Sequence, residues 1–336
     1  MKKILVTGGG GFVGGAIVRA LTEKGYNVTA VGRTIYPELK ESGISCRQGD
    51  IGDKVFTMDI CSDVDTVFHV AAKAGIWGRW QDYYHTNVIG TKNIVDSCRA
   101  HGVSNLVYTS TPSVVFDNRD ILGGDETLPY PRRFLCNYAK SKVMAETYVL
   151  ANNSPMLRSC AIRPHLIWGP GDPHLVPRLI EKGKAKALKI IGSGENFVDI
   201  SYIDNVVHAH LLAAENIDRN GNAAGKAYFI GQESPVRLWD WINDLYSELG
   251  IERIVRTVPF RAAFIVGDIL EIIHTLGRKQ QEPRMTRFLA QQLARSHYFS
   301  HRLAARDLGY EPLVSLQVGQ KKLLHWLKEN DQHSNL

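Results

Sequence analysis

The chain has 336 residues, of which 44% are hydrophobic and 22% are charged. This length favours about two domains, although a single large α/β unit is compatible with it, and the composition excludes a disordered chain. The 40 basic and 34 acidic side chains leave a net charge of +6 that is spread along the sequence. No basic run alternates with aromatic residues, so we do not expect nucleic-acid binding.

The five cysteines are scattered and include no Cys-x-x-Cys pair, which indicates a reduced intracellular protein without a disulfide framework or a metal site. The first residues contain too few apolar positions for a signal peptide. The segment 260–276 contains Arg261, Asp268, Glu271 and His274, which favours an amphipathic helix over a membrane span. We therefore expect a cytoplasmic protein, with peripheral membrane association as an alternative.

Short apolar runs alternate with helical stretches through the first half of the chain. In chain order we predict a strand at 3–7, a helix at 13–24, strands at 26–31, 45–48 and 64–70, a helix at 86–101 and a strand at 106–109. Such alternation indicates parallel strands joined by crossover helices. The strands are almost continuously apolar, which is typical of a sheet that is covered on both faces.

A glycine-rich turn follows the first predicted strand and precedes the first predicted helix. Gly8, Gly11 and Gly14 have the G-x-x-G-x-x-G spacing that permits a tight turn, close approach of a pyrophosphate and tight packing of helix on strand. The phosphates would bind the free N–H groups at the start of the helix, beside Phe12 and Val13. The pattern predicts a Rossmann-type doubly wound sheet that binds a dinucleotide.

The residues that follow the second predicted strand favour NADP(H), with NAD(H) as the alternative. A carboxylate here would bind the ribose 2′-OH, whereas an arginine accommodates a 2′-phosphate. The sequence has Gly32 and then Arg33, so the acid is missing and a guanidinium follows. After the third strand, Asp50 and Ile51 are expected at the edge and the face of the adenine, although Asp50 could equally be an ordinary loop acid.

Tyr138 and Lys142 are four residues apart beside a predicted helical run at 143–150, so their side chains are expected on one face. We expect the ammonium to lower the pKa of the phenol, which is otherwise a poor acid at neutral pH. Tyr138 would then protonate a carbonyl oxygen as hydride reaches the carbon, and would act as the base in reverse. Hydroxyl residues at 109–111 end an upstream strand, where one of them can bind the substrate oxygen.

Together these motifs resemble the extended short-chain dehydrogenases/reductases and, among them, the 3β-hydroxysteroid dehydrogenase family. The similarity extends from residue 3 to about residue 327 through TGGGGFVG (7–14), GDI (49–51), HVAA (69–72), NVIGTKN (87–93), YTSTPSVVF (108–116), YAKSK (138–142), RPHLIWGPGDPHLVPRL (163–179) and YIDNVVHAH (202–210). The resemblance implies an NAD(P)-dependent enzyme that interconverts a ketone and a secondary alcohol. A cofactor-binding protein without turnover typically lacks the tyrosine or the lysine, and this chain has both.

The resemblance also implies roles for individual residues. It implies Thr111, rather than Ser110, at the catalytic Ser/Thr position, and a second role for Lys142 in holding the nicotinamide ribose. In NAD-using members an acid occupies the position of Gly32, which supports the NADP prediction. The remaining cofactor-region positions that it implies are Ala71, Ala72, Lys73, Asn87 and Pro164.

Four prolines between residues 164 and 177 interrupt the alternation of strands and helices. We therefore assign residues 1–165 to an NAD(P)-binding Rossmann domain. Residues 166–336 are assigned to a smaller, interleaved substrate-binding part that does not fold independently. The resemblance implies a homodimer that is formed by helices at the flank of the sheet.

The substrate is expected to be hydrophobic. Nucleotide-sugar enzymes of the superfamily carry a diphosphate-binding arginine where this sequence has Val198, which disfavours an epimerase or a dehydratase. The segment 260–276 resembles the lid or membrane-facing region of sterol-acting members. The runs at 73–88, 164–179 and 238–243 resemble bacterial 2-alkyl-3-oxoalkanoate reductases, so we favour a long-chain β-keto acid over a 3β-hydroxysteroid or a 4-carboxysterol.

Both substrate classes can carry a carboxylate beside the reacting carbon, so a basic partner is expected. The candidates are Arg79, His85, His165, Arg178 and Arg287, although each one could instead be structural or face the solvent.

Overall fold

The computed structural model describes residues 1–34, 36–219 and 221–333. The strands are β1 (Lys3–Thr7), β2 (Asn27–Gly32), β3 (Ser45–Gln48), β4 (Thr66–His69), β5 (Asn105–Thr109), β6 (Ile121–Gly124), β7 (Arg158–Pro164), β8 (Ile167–Trp168), β9 (Ile190–Ile191), β10 (Phe197–Val198), β11 (Ser201–Tyr202), β12 (Ala227–Ile230), β13 (Val236–Arg237), β14 (Thr257–Val258) and β15 (His297–Phe299). The helices are α1 (Phe12–Glu23), α2 (Pro37–Glu41), α3 (Lys54–Cys61), α4 (Trp80–Tyr83), α5 (Gly90–His101), α6 (Asn137–Ala151), α7 (Leu175–Lys184), α8 (Ile203–Arg219), α9 (Leu238–Glu248), α10 (Phe260–Leu276), α11 (Arg287–Ala294), α12 (Arg302–Leu308) and α13 (Leu316–His333).

Seven strands form the central sheet in the order β12-β7-β5-β4-β1-β2-β3, and every neighbouring pair is parallel. Strand β1 lies inside this sheet, and its residues Ile4, Leu5 and Val6 are almost completely buried. One apolar core lies on each face of the sheet, with Ile4 and Val6 in one and Leu5 in the other. This arrangement confirms the predicted α/β class with a Rossmann-type doubly wound sheet.

The C-terminal half contributes to the same sheet. Strand β12 pairs with β7 at the sheet edge, and α8 packs against α1, β5 and β7. The chain therefore returns to the central layer after residue 165. The division into residues 1–165 and 166–336 stays a prediction.

The rest of the C-terminal half forms a smaller layer beyond the carboxyl ends of the central strands. It contains two strand pairs, β11-β8 and β14-β9, and a four-stranded sheet in the order β13-β10-β15-β6, to which the N-terminal half contributes β6. Aromatic side chains dominate its core, and Trp168 and Trp239 are almost completely buried there. This layer forms the wall that faces the glycine-rich turn.

Two predicted helices begin earlier than their sequence patterns indicated. The helix predicted at 86–101 is preceded by α4 and by a π-helical segment, Tyr84–Ile89, that continues into α5. The helical run predicted at 143–150 begins at Asn137, so Tyr138 lies inside α6 rather than before it. Polar residues occupy both helix starts, and they obscure the apolar periodicity on which the predictions were based.

Helix α10 has the bounds that were predicted, but its apolar residues are directed outward. Ala263, Gly267 and Glu271 are buried, and Glu271 accepts hydrogen bonds from the backbone and side chain of Arg287. The exposed apolar face of α10 comprises Ile265, Val266, Ile269, Ile272, Ile273 and Leu276. Among the described residues, no helix is long and apolar enough to cross a membrane.

Candidate active site

A cleft of about 630 Å³ lies at the carboxyl ends of the central strands, between the sheet and the C-terminal layer. It brings together all but two of the residues that were predicted at the site. Those that line it are Gly8, Gly11, Phe12, Val13, Gly14, Arg33, Asp50, Ile51, Ala71, Ala72, Thr111, Tyr138, Lys142 and Pro164. Lys73 and Asn87 do not form part of the wall.

The glycine turn has the geometry that a bound pyrophosphate requires. Gly8 has a φ of +70°, and a Cβ there would lie 2.9 Å from the backbone of Ala71. A Cβ on Gly14 would lie 2.1 Å from the carbonyl oxygen of Gly8, so any side chain would separate helix from strand. Helix α1 begins after Gly11 without a side-chain cap, which leaves its first N–H groups directed into the cleft. The turn therefore fits a dinucleotide phosphate.

Tyr36, which lies between β2 and α2, is a cleft residue that the sequence pattern did not reveal. The ring of Tyr36 lies over the glycine turn, and a Cβ on Gly32 would lie 2.9 Å from that ring. An acid at position 32 would therefore compete with Tyr36 for space. Arg33 is exposed at the cleft and has no ion-pair partner in the described parts of the chain. No spacing rule connects Tyr36 to the glycine turn, so only the fold reveals this contact.

Asp50 and Ile51 lie at the far end of the cleft. Asp50 is partly exposed; burial raises its pKa, but the amide of Gly52 and the ring of His85 lower it more, so that its pKa is below its usual value. Ile51 is buried and packs against Gly90, where a Cβ would lie 2.6 Å from its side chain. The carboxylate lies at the cleft but is already bonded to Gly52 and His85, while most of the isoleucine side chain supports α5.

Asn87 lies behind the cleft wall in the π-helical segment. Its side chain accepts a hydrogen bond from the amide of Lys73 at 2.7 Å and donates to the carbonyl of Lys73 and to the hydroxyl of Ser141. The Ser141 hydroxyl in turn donates to the carbonyl of Tyr138. Asn87 thus ties the segment after β4 to α6, while the Lys73 ammonium lies 3.8 Å from Asp82.

Tyr138 and Lys142 occupy the first turns of α6, and both face the cleft. Lys142 is almost completely buried, and its ammonium donates to the carbonyl of Thr109 at 2.6 Å and lies 4.2 Å from the ring centre of Tyr108. Burial lowers the pKa of Lys142 to about 7, although Glu146 opposes the shift. The lysine is therefore only partly charged at neutral pH.

The structure contradicts the expectation that Lys142 lowers the pKa of Tyr138. Burial raises the pKa of the phenol to about 12, and the nearby Thr111 hydroxyl offsets only part of this rise. The physical reason is the position of the ammonium, which is directed at the carbonyl of Thr109, together with its own lowered pKa. Tyr138 is consequently held in its protonated form.

Two hydroxyl groups lie where β5 ends. Thr111 is buried at the cleft, accepts a hydrogen bond from the amide of Ser113 and donates to the Ser113 hydroxyl, both at 3.3 Å. The hydroxyl of Ser110 is buried without a hydrogen-bond partner among the described residues. Thr111 lines the same cleft as Tyr138, and its hydroxyl is near enough to the phenol to lower the pKa of Tyr138 in part.

The basic residues that were predicted as partners for a substrate carboxylate differ in their position and in their ion pairs. Only His165 and Arg178 line the cleft. Every candidate except His165 is paired with a carboxylate: Arg79 with Asp82, His85 with Asp50, Arg178 with Glu282, and Arg287 with Asp268 and Glu271. The cleft also contains Phe288, Leu289 and Gln292 from α11, which lies so far along the chain that no sequence spacing could have associated these residues with the site.

Comparison with known proteins, together with the fold, identifies the class of enzyme. The chain is 45% identical to the 2-alkyl-3-oxoalkanoate reductase of Stenotrophomonas maltophilia over 96% of its own length and 98% of that protein. It is 35% identical to the sterol-4-alpha-carboxylate 3-dehydrogenase, decarboxylating, of Mus musculus, over 94% of this chain and 88% of that protein. The fold and these relatives define an NAD(P)-dependent dehydrogenase or reductase that acts on a hydroxyl or keto group.

The chain belongs to the 3-beta hydroxysteroid dehydrogenase/isomerase family, whose sequence profile matches residues 5–260. A second relative, the 2-alkyl-3-oxoalkanoate reductase of Shewanella oneidensis, is 44% identical over 95% of this chain and 84% of that protein. Among solved structures, MoeE5 in complex with UDP-glucose and NAD superposes with a TM-score of 0.75 at 26% identity, covering 98% of this chain and 99% of that one.

Proposed function

We propose that this enzyme uses NADP(H) to reduce a long-chain 2-alkyl-3-oxoalkanoate to the 3-hydroxy acid. The observation that carries the proposal is the meeting of Tyr138, Thr111 and Lys142 with the glycine turn in one cleft. Two relatives with this activity in their names resemble almost the whole chain, which favours this substrate class over others.

The side chains have distinct roles in this proposal. Bound NADPH supplies the hydride that adds to the C3 carbonyl carbon of the substrate. Tyr138, protonated at neutral pH, donates its proton to the carbonyl oxygen, and the Thr111 hydroxyl holds that oxygen by a hydrogen bond. Lys142 holds the hydroxyls of the nicotinamide ribose, from a position one helical turn beyond the phenol.

The cofactor roles follow the walls of the cleft. Gly8, Gly11, Phe12, Val13 and Gly14 surround the pyrophosphate, whose charge is favoured by the start of α1. Arg33, which is exposed and has no ion-pair partner in the described residues, binds a 2′-phosphate and so favours NADP(H). The remaining positions along the cofactor are Asp50, Ile51, Ala71, Ala72 and Pro164, with Lys73 and Asn87 supporting them from behind.

A second cavity can receive part of the hydrocarbon. It has a volume of about 840 Å³ and meets the cleft at Ile76. Its lining combines the aromatic side chains of Trp77, Trp80 and Phe134 with the basic side chains of Arg79, Arg132, Lys140, Arg278 and Lys279. A 2-alkyl-3-oxo acid has two chains that diverge from the reacting carbons, and we assign one of them to this cavity. Burial of apolar chain against aromatic rings stabilises binding by roughly 0.8 kcal/mol per CH₂ group.

A sterol dehydrogenase is the second candidate. The 35% identity to a sterol-4-alpha-carboxylate dehydrogenase favours it, because that substrate also carries a carboxylate beside the reacting carbon. A nucleotide-sugar epimerase or dehydratase is disfavoured. Val198, which replaces the diphosphate-binding arginine, is completely buried in the core of the C-terminal layer and presents no charge to a ligand.

The test is NADPH oxidation, followed by absorbance, with a series of 2-alkyl-3-oxo acids against 3-keto- and 3-hydroxysteroids and a 4-carboxysterol with NADP⁺. We expect turnover with the keto acids and a kcat/KM for them at least tenfold above that for any sterol. A higher kcat/KM for a sterol would transfer the assignment to the second candidate. Turnover with UDP-glucose would contradict both.

A further inference from the structure

Two buried histidines form a pair at the cleft wall. His165 follows β7 and lines the cleft, and its Nε2 lies 2.7 Å from the Nδ1 of His297 on β15. The Nε2 of His297 lies 2.9 Å from the backbone carbonyl oxygen of Gln292. Both residues are almost completely buried, with 7% of the surface of His165 and 2% of that of His297 exposed to solvent. The pair therefore extends from the cleft into the C-terminal layer as a hydrogen-bonded chain.

The carbonyl at the end of this chain fixes the proton positions in the neutral pair. A carbonyl oxygen can only accept, so the Nε2 of His297 carries a hydrogen and its Nδ1 has a lone pair. That lone pair accepts from the Nε2–H of His165, which leaves the Nδ1 of His165 without a hydrogen. This nitrogen has no hydrogen-bond partner in the described parts of the chain, and its ring forms part of the cleft wall.

The surroundings keep the pair neutral in the absence of an anion. Burial lowers the pKa of both rings, and His297 lowers that of His165 further, whereas Asp199 and Asp120 partly oppose the shift at His297. Asp199 is itself paired with His301 at 3.2 Å, and Asp120 with Arg295 at 3.3 Å. On the cleft side, the titratable and charged groups are Arg33, Tyr36, Asp50, Tyr138, Lys142, Asp172, His174 and Arg178.

One added proton reverses the character of the unpartnered nitrogen, the Nδ1 of His165, whose ring forms part of the cleft wall. The added proton enters at the Nδ1 of His165, while its Nε2–H still donates to the Nδ1 of His297 and the Nε2–H of His297 still donates to the carbonyl of Gln292, so that His165 carries the positive charge. The neutral pair presents a lone pair that repels a carboxylate, whereas the protonated pair presents a charged donor that binds one. An incoming carboxylate therefore favours the protonated form.

We propose that the His165–His297 pair is the subsite for the substrate carboxylate, and that it takes up one proton from solvent when the acid binds. The inference rests on the proposed function, because it needs an acid as the substrate. It is favoured by the state of the other basic candidates, each of which is already paired with a carboxylate of the protein.

The proton requirement predicts how the KM depends on pH. Where the free pair is neutral and the complex protonated, the KM for the acid should rise by up to about tenfold per pH unit. The control substrate is the ketone that remains when the carboxyl group is replaced by hydrogen, because it meets the same Tyr138 and Lys142. Its KM should show no such rise.

The experiment is calorimetric titration of the enzyme–NADP⁺ complex with a 2-alkyl-3-hydroxy acid at pH 8 in two buffers of different ionisation enthalpy. We expect uptake of about one proton by the wild type. In His165→Gln, we expect no uptake and an affinity for the acid about tenfold to a hundredfold weaker. The KM of that variant for the ketone should change less than twofold, and His208→Gln, outside the cleft, should match the wild type.

The outcomes separate the inference from the proposed function. Binding of the acid without proton uptake by the wild type overturns the inference and leaves the proposed function standing. Equal losses for acid and ketone in His165→Gln also overturn it, because they indicate a structural role. If the wild type neither binds nor reduces the acid, the proposed function and the inference fail together.

Discussion

Burial sets the protonation of both residues in the Tyr138–Lys142 pair. With a pKa of about 12, the phenol is protonated throughout the neutral range, so it can donate a proton during reduction. The reverse reaction needs the phenolate, which is scarce at neutral pH.

This protonation state predicts different pH profiles for the two directions. A group whose pKa is raised stays protonated until the pH approaches that raised value, so the phenol should add no pH dependence to kcat for reduction between pH 6 and 8, and any change there is assigned to Lys142, whose pKa is about 7. The kcat for alcohol oxidation should increase over the same range, because each unit of pH raises the phenolate fraction about tenfold. Saturating substrate removes the effect of pH on KM. Faster oxidation at pH 6 than at pH 8 would contradict this assignment.

Arg33 determines the cofactor preference in our proposal. Replacing it in Arg33→Asp removes a charge-assisted bond to the 2′-phosphate and introduces a repulsive charge. We expect the KM for NADPH to rise at least tenfold, which corresponds to about 1.4 kcal/mol, while the KM for NADH falls or stays constant. Arg47→Asp, on the neighbouring strand but outside the cleft, is the matched control. An unchanged ratio of the two KM values would refute the role of Arg33.

For individual residues, the sequence predicted those contacts that depend on the spacing of residues close together in the chain. The four-residue separation of Tyr138 and Lys142 and the spacing of Gly8 and Gly14 translate directly into shared faces and close contacts. The sequence did not predict the raised pKa of the phenol, because that depends on burial by distant segments. The contact of Tyr36 with the glycine turn was missed for the same reason.

Helix α6 is fixed to the sheet by an ion pair. Arg163 on β7 donates two hydrogen bonds to Glu146 on α6, at 3.0 and 2.6 Å, and both side chains are almost completely buried. The hydroxyl of Tyr130 donates to the same carboxylate. The pair thereby fixes the helix that carries Tyr138 and Lys142.

Breaking this pair should destabilise the whole fold. In Arg163→Met the buried Glu146 loses its cation, and we expect the free energy of unfolding to fall by about 3–5 kcal/mol, measured by urea denaturation. The double variant Glu146→Leu with Arg163→Met should recover most of that loss, because no charge is left buried. A loss below 1 kcal/mol in the single variant would show that the pair contributes little to stability.

The bounds of the helices could not all be predicted from the periodicity of apolar residues. The π-helical segment Tyr84–Ile89 was predicted as ordinary helix in part and missed in part. Its form places Asn87 where the side chain can bind the backbone of Lys73 and the hydroxyl of Ser141 at once. A periodic apolar pattern contains no information about such polar bridges, since they depend on two other segments.

The whole molecule presents the exposed apolar face of α10 to its surroundings, beside the basic residues Arg278 and Lys279. An apolar face beside cations suits the surface of an anionic bilayer, so membrane contact stays our prediction. Co-sedimentation should detect binding to vesicles that contain phosphatidylglycerol. Ile269→Glu should weaken it about tenfold, because burial of that side chain is lost, and Val55→Glu, exposed elsewhere, should not. Equal binding by both variants would exclude α10 as the contact.

At the scale of the whole chain, the sequence predicted the class of fold but not the contacts between segments that are far apart in the chain. The alternation of strands and helices gave the parallel sheet through β5. The pairing of β12 with β7 and the wall formed by α11 connect residues far apart in sequence, and no local pattern encodes such pairings. The homodimer likewise stays a prediction, and sedimentation equilibrium can test it.

The central claim is that hydride reaches C3 of a β-keto acid while Tyr138 protonates the oxygen. Reduction of a 2-alkyl-3-oxo acid with NADPH that carries deuterium at both C4 positions, followed by mass spectrometry, measures this directly. We predict one deuterium at C3 of the product. We also predict a kcat about 10²- to 10⁴-fold lower in Tyr138→Phe, with NADPH binding unchanged by fluorescence titration. Product without deuterium at C3, or a Tyr138→Phe rate within threefold of the wild type, would contradict the claim.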